Sequence, residues 1–238
     1  MPLHVYGTVE KCRLVTAPSP FPDNPTTSGP VHLLVCLGMP KRPTYPYETS
    51  TGHLMTVQQV LNVALAHRNT LTQGSVVLQG REPLFQATFV SALLQACGES
   101  GLRTEMITSG AGSGRVNDRM LREIDLTTIS LPARAGWSNP DELDALKLAD
   151  RLQNLGRAIR LQLPVVDARP FDPDHRAALT HALSGRTGLQ SVEIYDCQDL
   201  AAVPPSGLRH RYMASGGPVS AAALQLKQDL LNAGVWVE

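Results

Sequence analysis

The stretch Ser75-Val76-Val77-Leu78-Gln79-Gly80-Arg81-Glu82-Pro83 decides the fold that we expect for this chain. Its first part is a nearly continuous apolar run, which is typical of a strand buried on both faces. A tight loop follows, and from Leu84 to Cys97 the apolar residues recur at helical spacing. The segment therefore predicts a strand, a loop and a helix in succession, which is the repeating unit of parallel sheets.

The same alternation of strand and helix continues along the chain. Thr56 and Gln59 form a capping-box pattern at the start of one helix, and Asn139-Pro140 marks the start of another. We predict six strands, which begin near Val31, Ser75, Thr104, Asp125, Ala158 and Ser191. Six such units predict an α/β protein with a parallel sheet, as either an open doubly wound sheet or a partial barrel.

The first thirty residues carry no such alternation. Proline, glycine and small polar residues are frequent between Ser19 and Pro30, which favours a turn-rich connection. We therefore expect an irregular N-terminal segment over residues 1–30 and a single domain over residues 31–238.

Composition excludes several classes of function. The 238 residues include 21 Lys and Arg against 21 Asp and Glu, so no net charge attracts nucleic acid or an anionic membrane. Aromatic residues make up 5% of the chain, too few for a base-stacking surface. The longest apolar stretch, Val31–Met39, is too short to span a bilayer, and Met1-Pro2-Leu3-His4 lacks a signal-peptide pattern. We expect a cytoplasmic protein with no nucleic-acid partner and no membrane partner.

The side chains that could hold a metal ion give no metal site. Asp172, Asp174 and His175 lie close together, but their Pro-rich setting favours a turn and a helix cap over a ligand cluster. No Cys-x-x-Cys pair occurs, and the cysteines are too scattered for a disulfide framework or a zinc site: Cys12, Cys36, Cys97 and Cys197.

The segment Gly74–Val90 resembles the second strand, the Gly-Gly-Glu-Pro loop and the next helix of radical S-adenosylmethionine (SAM) proteins. The resemblance is strongest to the activating enzymes of glycyl-radical enzymes, such as pyruvate formate-lyase activating enzyme. Further short matches follow in the order of that family: Leu54–Val60, Gly101–Thr104, Thr108–Gly110 and Ile159-Arg160. The resemblance covers about Gly29 to Tyr195 and implies a partial (β/α)6 barrel.

In that family a Cys-x3-Cys-x2-Cys loop after the first strand holds a 4Fe–4S cluster, which binds and cleaves SAM. The three corresponding positions here are Met39, Pro43 and Pro46, and none of them can supply a thiolate. Cys36 stands just before the loop, but it is a single ligand and suits the core of a strand. We therefore expect no iron–sulfur cluster and none of the family's radical chemistry.

The resemblance also implies a set of residues that would bind SAM or a similar molecule. These candidates are Gly80, Arg81, Glu82, Pro83, Thr108, Ser109, Gly110 and Arg160. Arg81 stands where the family has its second glycine, and Ser130 and Pro132 stand where it has an Asp-x-Lys pair. Gln198 likewise replaces the histidine at the end of the last strand.

The best candidates each have a structural alternative. Glu82 can hold an ammonium group of a ligand, or it can serve as an acid at the start of a helix. Arg160 can pair with a ligand carboxylate, or with a residue of the chain such as Asp125. Arg81 can bind an anion, although a solvated loop arginine is the commoner case.

Two classes of function follow from the resemblance. In the first, the chain is a degenerate radical-SAM-like protein that acts as a non-catalytic binding or regulatory subunit with a protein partner. In the second, it is a SAM-binding enzyme that carries out non-radical chemistry on SAM or on an amino-acid-like substrate. The loss of the cluster is common to both, and the loss of several SAM contacts favours the first.

Overall fold

The structure is a computed structural model that describes residues 3–16, 30–38, 52–80, 82–131, 140–166, 173–186, 188–197 and 221–237. Within these residues the strands are β1 (Tyr6–Thr16), β2 (Val31–Leu37), β3 (His53–Thr56), β4 (Val76–Gly80), β5 (Thr104–Thr108), β6 (Leu126–Ser130), β7 (Ala158–Val166) and β8 (Leu189–Cys197). The helices are α1 (Val57–Ala66), α2 (Ala87–Glu99), α3 (Asp118–Arg122), α4 (Pro140–Asn154), α5 (Pro173–Leu183) and α6 (Ala221–Asn232). Two 3₁₀ turns cover Pro83–Gln86 and Ser113–Arg115.

The strands follow the order β3-β1-β2-β4-β5-β6-β7-β8. Strand β4 pairs in parallel with β2 and β5, and β7 pairs in parallel with β6 and β8. The six predicted strands are present, each beginning within two residues of its predicted start. The prediction of an α/β protein with a parallel sheet is confirmed.

The prediction of an irregular N-terminal segment is wrong for Tyr6–Thr16. These residues form β1, which pairs antiparallel with both β2 and β3. The charged residues Glu10 and Lys11 and a register shift between Val9 and Lys11 interrupt the alternation that identifies a strand. Residues 17–29 lie outside the described part of the chain.

The chain packs as two compact units. Of the described residues, the first unit contains those within Met1–Ile107 and Arg115–Asp125. The second contains those within Thr108–Gly114, Leu126–Arg209 and Met213–Glu238. Strands β1 and β2 therefore share a unit, and residue 31 marks no boundary between units. The assignment of residues 31–238 to one domain stays a prediction.

The core of the first unit consists of the apolar runs that predicted its strands. Side chains of β2 and β4 such as Leu34, Val35 and Val77 are fully buried, as expected for strands covered on both faces. The capping box of α1 is also confirmed. The Gln59 amide donates to Thr56 Oγ1 at 3.1 Å, and the Thr56 amide donates to Gln59 Oε1 at 2.8 Å.

A buried glutamine joins three parts of the first unit. The Oε1 atom of Gln86 accepts a hydrogen bond from the Thr8 amide at 2.7 Å, and its Nε2 atom donates to the Thr8 carbonyl at 3.0 Å. Nε2 also donates to the Gly38 carbonyl at 3.0 Å, just beyond the end of β2. One amide thus satisfies three backbone groups near the β1 register shift, where the ladder between β1 and β2 is interrupted.

We predict that Gln86→Leu destabilises the protein by about 2–4 kcal/mol, because it leaves three buried backbone groups without this partner. The free energy of unfolding, measured by urea denaturation, checks this. The matched control is Gln225→Leu on the exposed face of α6, which should change the stability by less than about 0.5 kcal/mol. Equal effects of the two variants would contradict the role of Gln86.

A second constraint in the first unit is the close approach of β4 to β2 at Gly80. The φ angle of Gly80 is +124°, and a Cβ atom at this position would lie 2.1 Å from the Leu37 carbonyl oxygen. Because the obstacle is backbone, no side-chain rotation can relieve it. Only glycine fits where β4 leaves the sheet and the loop to Glu82 begins.

We predict that Gly80→Ala costs at least about 3 kcal/mol of stability, because the clash and the positive φ act together. The control is Gly156→Ala, where φ is +66° and no atom lies within 4 Å of the added Cβ. That variant should cost only about 1–2 kcal/mol, the strain of the left-handed conformation alone. Thermal or urea unfolding of both variants measures the difference, and a Gly80→Ala protein as stable as the Gly156→Ala protein would contradict the prediction.

Candidate functional site

The first group of candidate residues lies in the loop after β4. Glu82 is 5% exposed, and its Oε1 atom accepts a hydrogen bond from the Leu84 amide at 3.0 Å. Pro83 follows as the first residue of the 3₁₀ turn, where its fixed φ and missing N–H are tolerated. The structural alternative proposed for Glu82 is therefore present: its carboxylate caps this turn. Arg81 lies outside the described residues.

The second group lies in the turn after β5. Thr108 is fully buried, and its Oγ1 atom accepts a hydrogen bond from the Gly110 amide at 2.9 Å. Ser109 Oγ accepts from the Ala111 amide at 3.3 Å. Gly110 has a φ of +84°, and a Cβ atom there would lie 2.7 Å from the Cα atom of Ala145 in α4. The turn is thus held by its own side chains and lies close against the backbone of α4.

Arg160, the third member of the candidate set, lies near the start of β7. Its side chain is 9% exposed, and its Nε atom donates a hydrogen bond to Ser191 Oγ on β8 at 3.1 Å. Asp125, the suggested structural partner of Arg160, accepts hydrogen bonds from the Thr104 amide at 2.8 Å and from Thr104 Oγ1 at 3.2 Å.

The candidates are divided between the two units. Gly80, Glu82 and Pro83 belong to the first unit, and Thr108–Gly110 and Arg160 belong to the second. The idea that they line one pocket stays a prediction. The cluster-loop positions Met39, Pro43 and Pro46 lie outside the described residues, as do Asp172 and Gln198.

Burial affects the described cysteines. Cys36 is buried in β2, as predicted, and its Sγ atom accepts a hydrogen bond from Gln79 Nε2 at 3.3 Å. Burial raises the pKa of Cys97 to about 12, and burial together with the nearby Cys36 raises the pKa of Cys12. Deprotonation of Cys12 and Cys97 is therefore unfavourable, which opposes metal binding by these two thiols.

Within the residues that the structure describes, no three His, Cys, Asp or Glu side chains are placed to hold a metal ion. No described helix has both the length and the apolar character needed to cross a membrane.

Sequence reasoning missed a buried polar face in the second unit. Residues paired across neighbouring strands, and residues two apart on one strand, point to the same side of a sheet. The register of β6, β7 and β8 places two rows of polar side chains on one face, and we call these six residues the polar strip. The first row is Thr128, Arg160 and Ser191, and the second row is Ser130, Gln162 and Glu193. All of them are buried except Glu193, which is partly exposed.

The second row of the polar strip contains an unusual side chain. Gln162 is fully buried, and its Nε2 atom donates a hydrogen bond to Glu193 Oε2 at 2.9 Å. Its Oε1 atom is also buried and has no hydrogen-bond partner among the described residues. The signal for this strip was the alternation of Ile159, Leu161 and Leu163 with Arg160 and Gln162 in an otherwise buried strand.

Comparisons with known proteins give matches in structure alone. No family model and no curated protein matches this sequence. A domain of pyruvate-formate lyase-activating enzyme from Bacteroides vulgatus matches with a TM-score of 0.54 and 19% identity, over 69% of this chain and 98% of that one. A radical SAM methyltransferase from Sphaerobacter thermophilus matches with a TM-score of 0.55 and 16% identity, over 87% of this chain and 65% of that one.

A third solved structure is SuiB from Streptococcus suis bound to S-adenosylmethionine. It matches with a TM-score of 0.52 and 12% identity, over 76% of this chain and 40% of that one. This chain therefore spans well under half the length of SuiB. At identities below one fifth the likeness establishes the fold and leaves the activity open. The chain has the radical-SAM-like α/β fold that its motifs predicted.

Proposed function

We propose that this chain is a radical-SAM-like protein without an iron–sulfur cluster, which acts as a non-catalytic binding or regulatory subunit. The observation that carries the proposal is that the family positions retained here have roles within the fold. The positions whose function in the family is to bind the cluster carry other residues, namely Met39, Pro43 and Pro46.

The loop after β4 illustrates the difference between family positions that the fold needs and family positions that bind a cofactor. Gly80 is required because the Leu37 backbone leaves no room for a Cβ atom. Glu82 caps the following turn, and Pro83 begins it. These three residues would be needed by the fold even if nothing bound to the loop, whereas the neighbouring family glycine is Arg81 in this chain.

The candidate residues of the second unit show the same difference between structural positions and cofactor-binding positions. Thr108 and Gly110 shape the turn after β5, and Arg160 bonds to Ser191. In contrast, the Asp-x-Lys pair that the family has after the next strand is replaced by Ser130 and Pro132. Retention of the scaffold together with loss of the reactive groups favours a binding role over catalysis.

Anaerobic reconstitution with iron and sulfide tests this function. We predict a colourless protein without stoichiometric bound iron, because a cluster needs three thiolates in its loop. A pyruvate formate-lyase activating enzyme treated in parallel should turn brown and serves as the positive control. Strong visible charge-transfer absorption with about four irons per chain would overturn the proposal.

A second candidate function is non-radical chemistry on SAM or on an amino-acid-like substrate. The observation that favours it is the buried guanidinium of Arg160, which could hold a carboxylate. The pairing of β4 with β5 adds support to a ligand-binding role. Leu78 of β4 lies beside Met106 of β5, and Gly80 and Thr108 each follow two residues later, at the ends of these strands. Loops at that edge of a parallel sheet are where such folds bind ligands. In this candidate function the carboxylate of Glu82 takes the ammonium group of the ligand.

We predict for this second candidate that Glu82→Gln weakens binding of SAM, S-adenosylhomocysteine or methionine by about tenfold or more, as measured by calorimetry. The amide can still accept the hydrogen bond of Leu84, so the turn should keep its cap. Asp174→Asn, the same change at an exposed position of α5, is the control and should leave the affinity unchanged. Absence of binding, or equal affinity of Glu82→Gln and the parent, would remove this candidate.

A further inference from the structure

A small cavity lies in the first unit where β4 and β5 begin. Its volume is about 200 Å³, and its walls come from the turn after α1, the residues that enter β4 and the turn after α2. Val76 and Thr104, the first residues of the two strands, are register partners. Gly80 is the last residue of β4 and lies about 13 Å along the strand from Val76. The cavity is therefore separate from the candidate loop at the other end of β4.

Two arginine side chains line this cavity, Arg68 from the turn after α1 and Arg103 from the turn after α2. Hydrogen bonds fix their backbones. The Arg68 amide donates to the Leu65 carbonyl at 3.1 Å, and the Arg103 carbonyl accepts from the Val76 amide at 2.8 Å. A Cβ atom on Gly101 would lie 3.5 Å from Arg68 Nη2, so the missing side chain of Gly101 leaves room beside that guanidinium.

Neither guanidinium is neutralised by a side chain of the protein. Among the described residues, the side chains of Arg68 and Arg103 make no hydrogen bond and no ion pair. None of the described residues that line the cavity is an Asp or a Glu. Glu99, at the end of α2, does not line the cavity and accepts a hydrogen bond from Gln95 Nε2 at 2.9 Å, one turn earlier. The walls of the cavity thus carry two positive charges and no carboxylate.

Helix dipoles account for only part of this charge. The C-terminus of a helix carries about half a negative charge, so the ends of α1 and α2 together offset roughly one of the two positive charges. The last carbonyls of α2 already accept hydrogen bonds from the turn that follows. The Leu102 amide donates to the Cys97 carbonyl, and the Gly101 amide donates to the Gly98 carbonyl, both at 2.9 Å. About one positive charge therefore remains for a ligand.

We propose that this cavity binds a phosphate group. The N–H donors of a guanidinium form a planar fork that matches two phosphate oxygens, and the Thr72 and Ser75 hydroxyls on the cavity wall can also donate. The cavity is smaller than the roughly 300–1,000 Å³ of sites that enclose a drug-sized ligand, so it suits one phosphate group. This site goes beyond the proposed function and does not depend on it.

The test begins with calorimetry on the full chain at low ionic strength, because salt screens charges that are exposed to solvent. Inorganic phosphate and phenyl phosphate are titrated in parallel, and acetate at equal ionic strength is the control. Saturable binding of one phosphate group per chain is expected, about fivefold or more tighter than the binding of acetate. The tighter of the two phosphates identifies the source of the group as the free ion or an ester. This comparison needs no substituted protein.

The protein side of the test compares three substitutions. Arg68→Gln and Arg103→Gln each remove one charge from the cavity and should each weaken phosphate binding about fivefold or more. Arg119→Gln is the matched control: it removes the same charge from an exposed position of α3 that does not line the cavity, and it should leave the affinity unchanged. All three arginines are exposed, so the variants should unfold at about the temperature of the parent.

The outcomes separate this site from the proposed function. The phosphate site would be overturned by the absence of saturable binding of both phosphates, or by acetate that binds as tightly as they do. Affinities of Arg68→Gln and Arg103→Gln equal to that of Arg119→Gln would also overturn it. Assembly of an iron–sulfur cluster would overturn the proposed function, and the phosphate titrations would still decide the site between Arg68 and Arg103.

Discussion

The contact between Gly80 and the Leu37 carbonyl is the constraint on which the arrangement of the first unit depends. It sets how closely β4 follows β2 and therefore where the chain turns toward Glu82 and Pro83. From that turn Gln86 reaches back to Thr8 and Gly38 and attaches an additional strand, β1, to the parallel sheet. A glycine and a glutamine six residues apart thus determine both the exit of one strand and the attachment of another.

The motif Gly80-Arg81-Glu82-Pro83, which resembles a ligand loop, has a structural role when its described contacts are considered. A Gly-x-Glu-Pro sequence after a buried strand suggests a ligand loop, yet each of its described residues has a task within the chain. The family motif combines residues needed to build the loop with residues needed to bind a cofactor, and sequence resemblance does not separate the two. The contacts of Gly80, Glu82 and Thr108 do separate them, because they identify residues that shape the loop after β4 and the turn after β5.

The sequence predicted those parts of the molecule in which local patterns and tertiary packing agree. Apolar runs such as Val31–Leu37 identified the parallel strands, because strands covered on both faces need apolar residues at every position. Strand β1 was missed because charged residues and a register shift break its alternation. The polar strip was missed for another reason: its six members come from three separate strands, and only the register places Gln162 beside Glu193. Within the polar strip, the sequence analysis identified Arg160 as a candidate but not Gln162 and Glu193 in the next row.

The hydrogen bond between Gln86 and the Thr8 amide also bears on how the first unit assembles. It joins residues 78 positions apart, so closing that loop costs conformational entropy that the contacts of the folded unit must offset. The register of β1 with β2 begins at Val9, and beside it the Thr8 amide donates to the side chain of Gln86. Its protection from hydrogen exchange is therefore a property of the assembled unit and not of strand β1 by itself. The hydrogen-exchange rate of this one amide near the N-terminus therefore reports whether a unit of more than one hundred residues is folded.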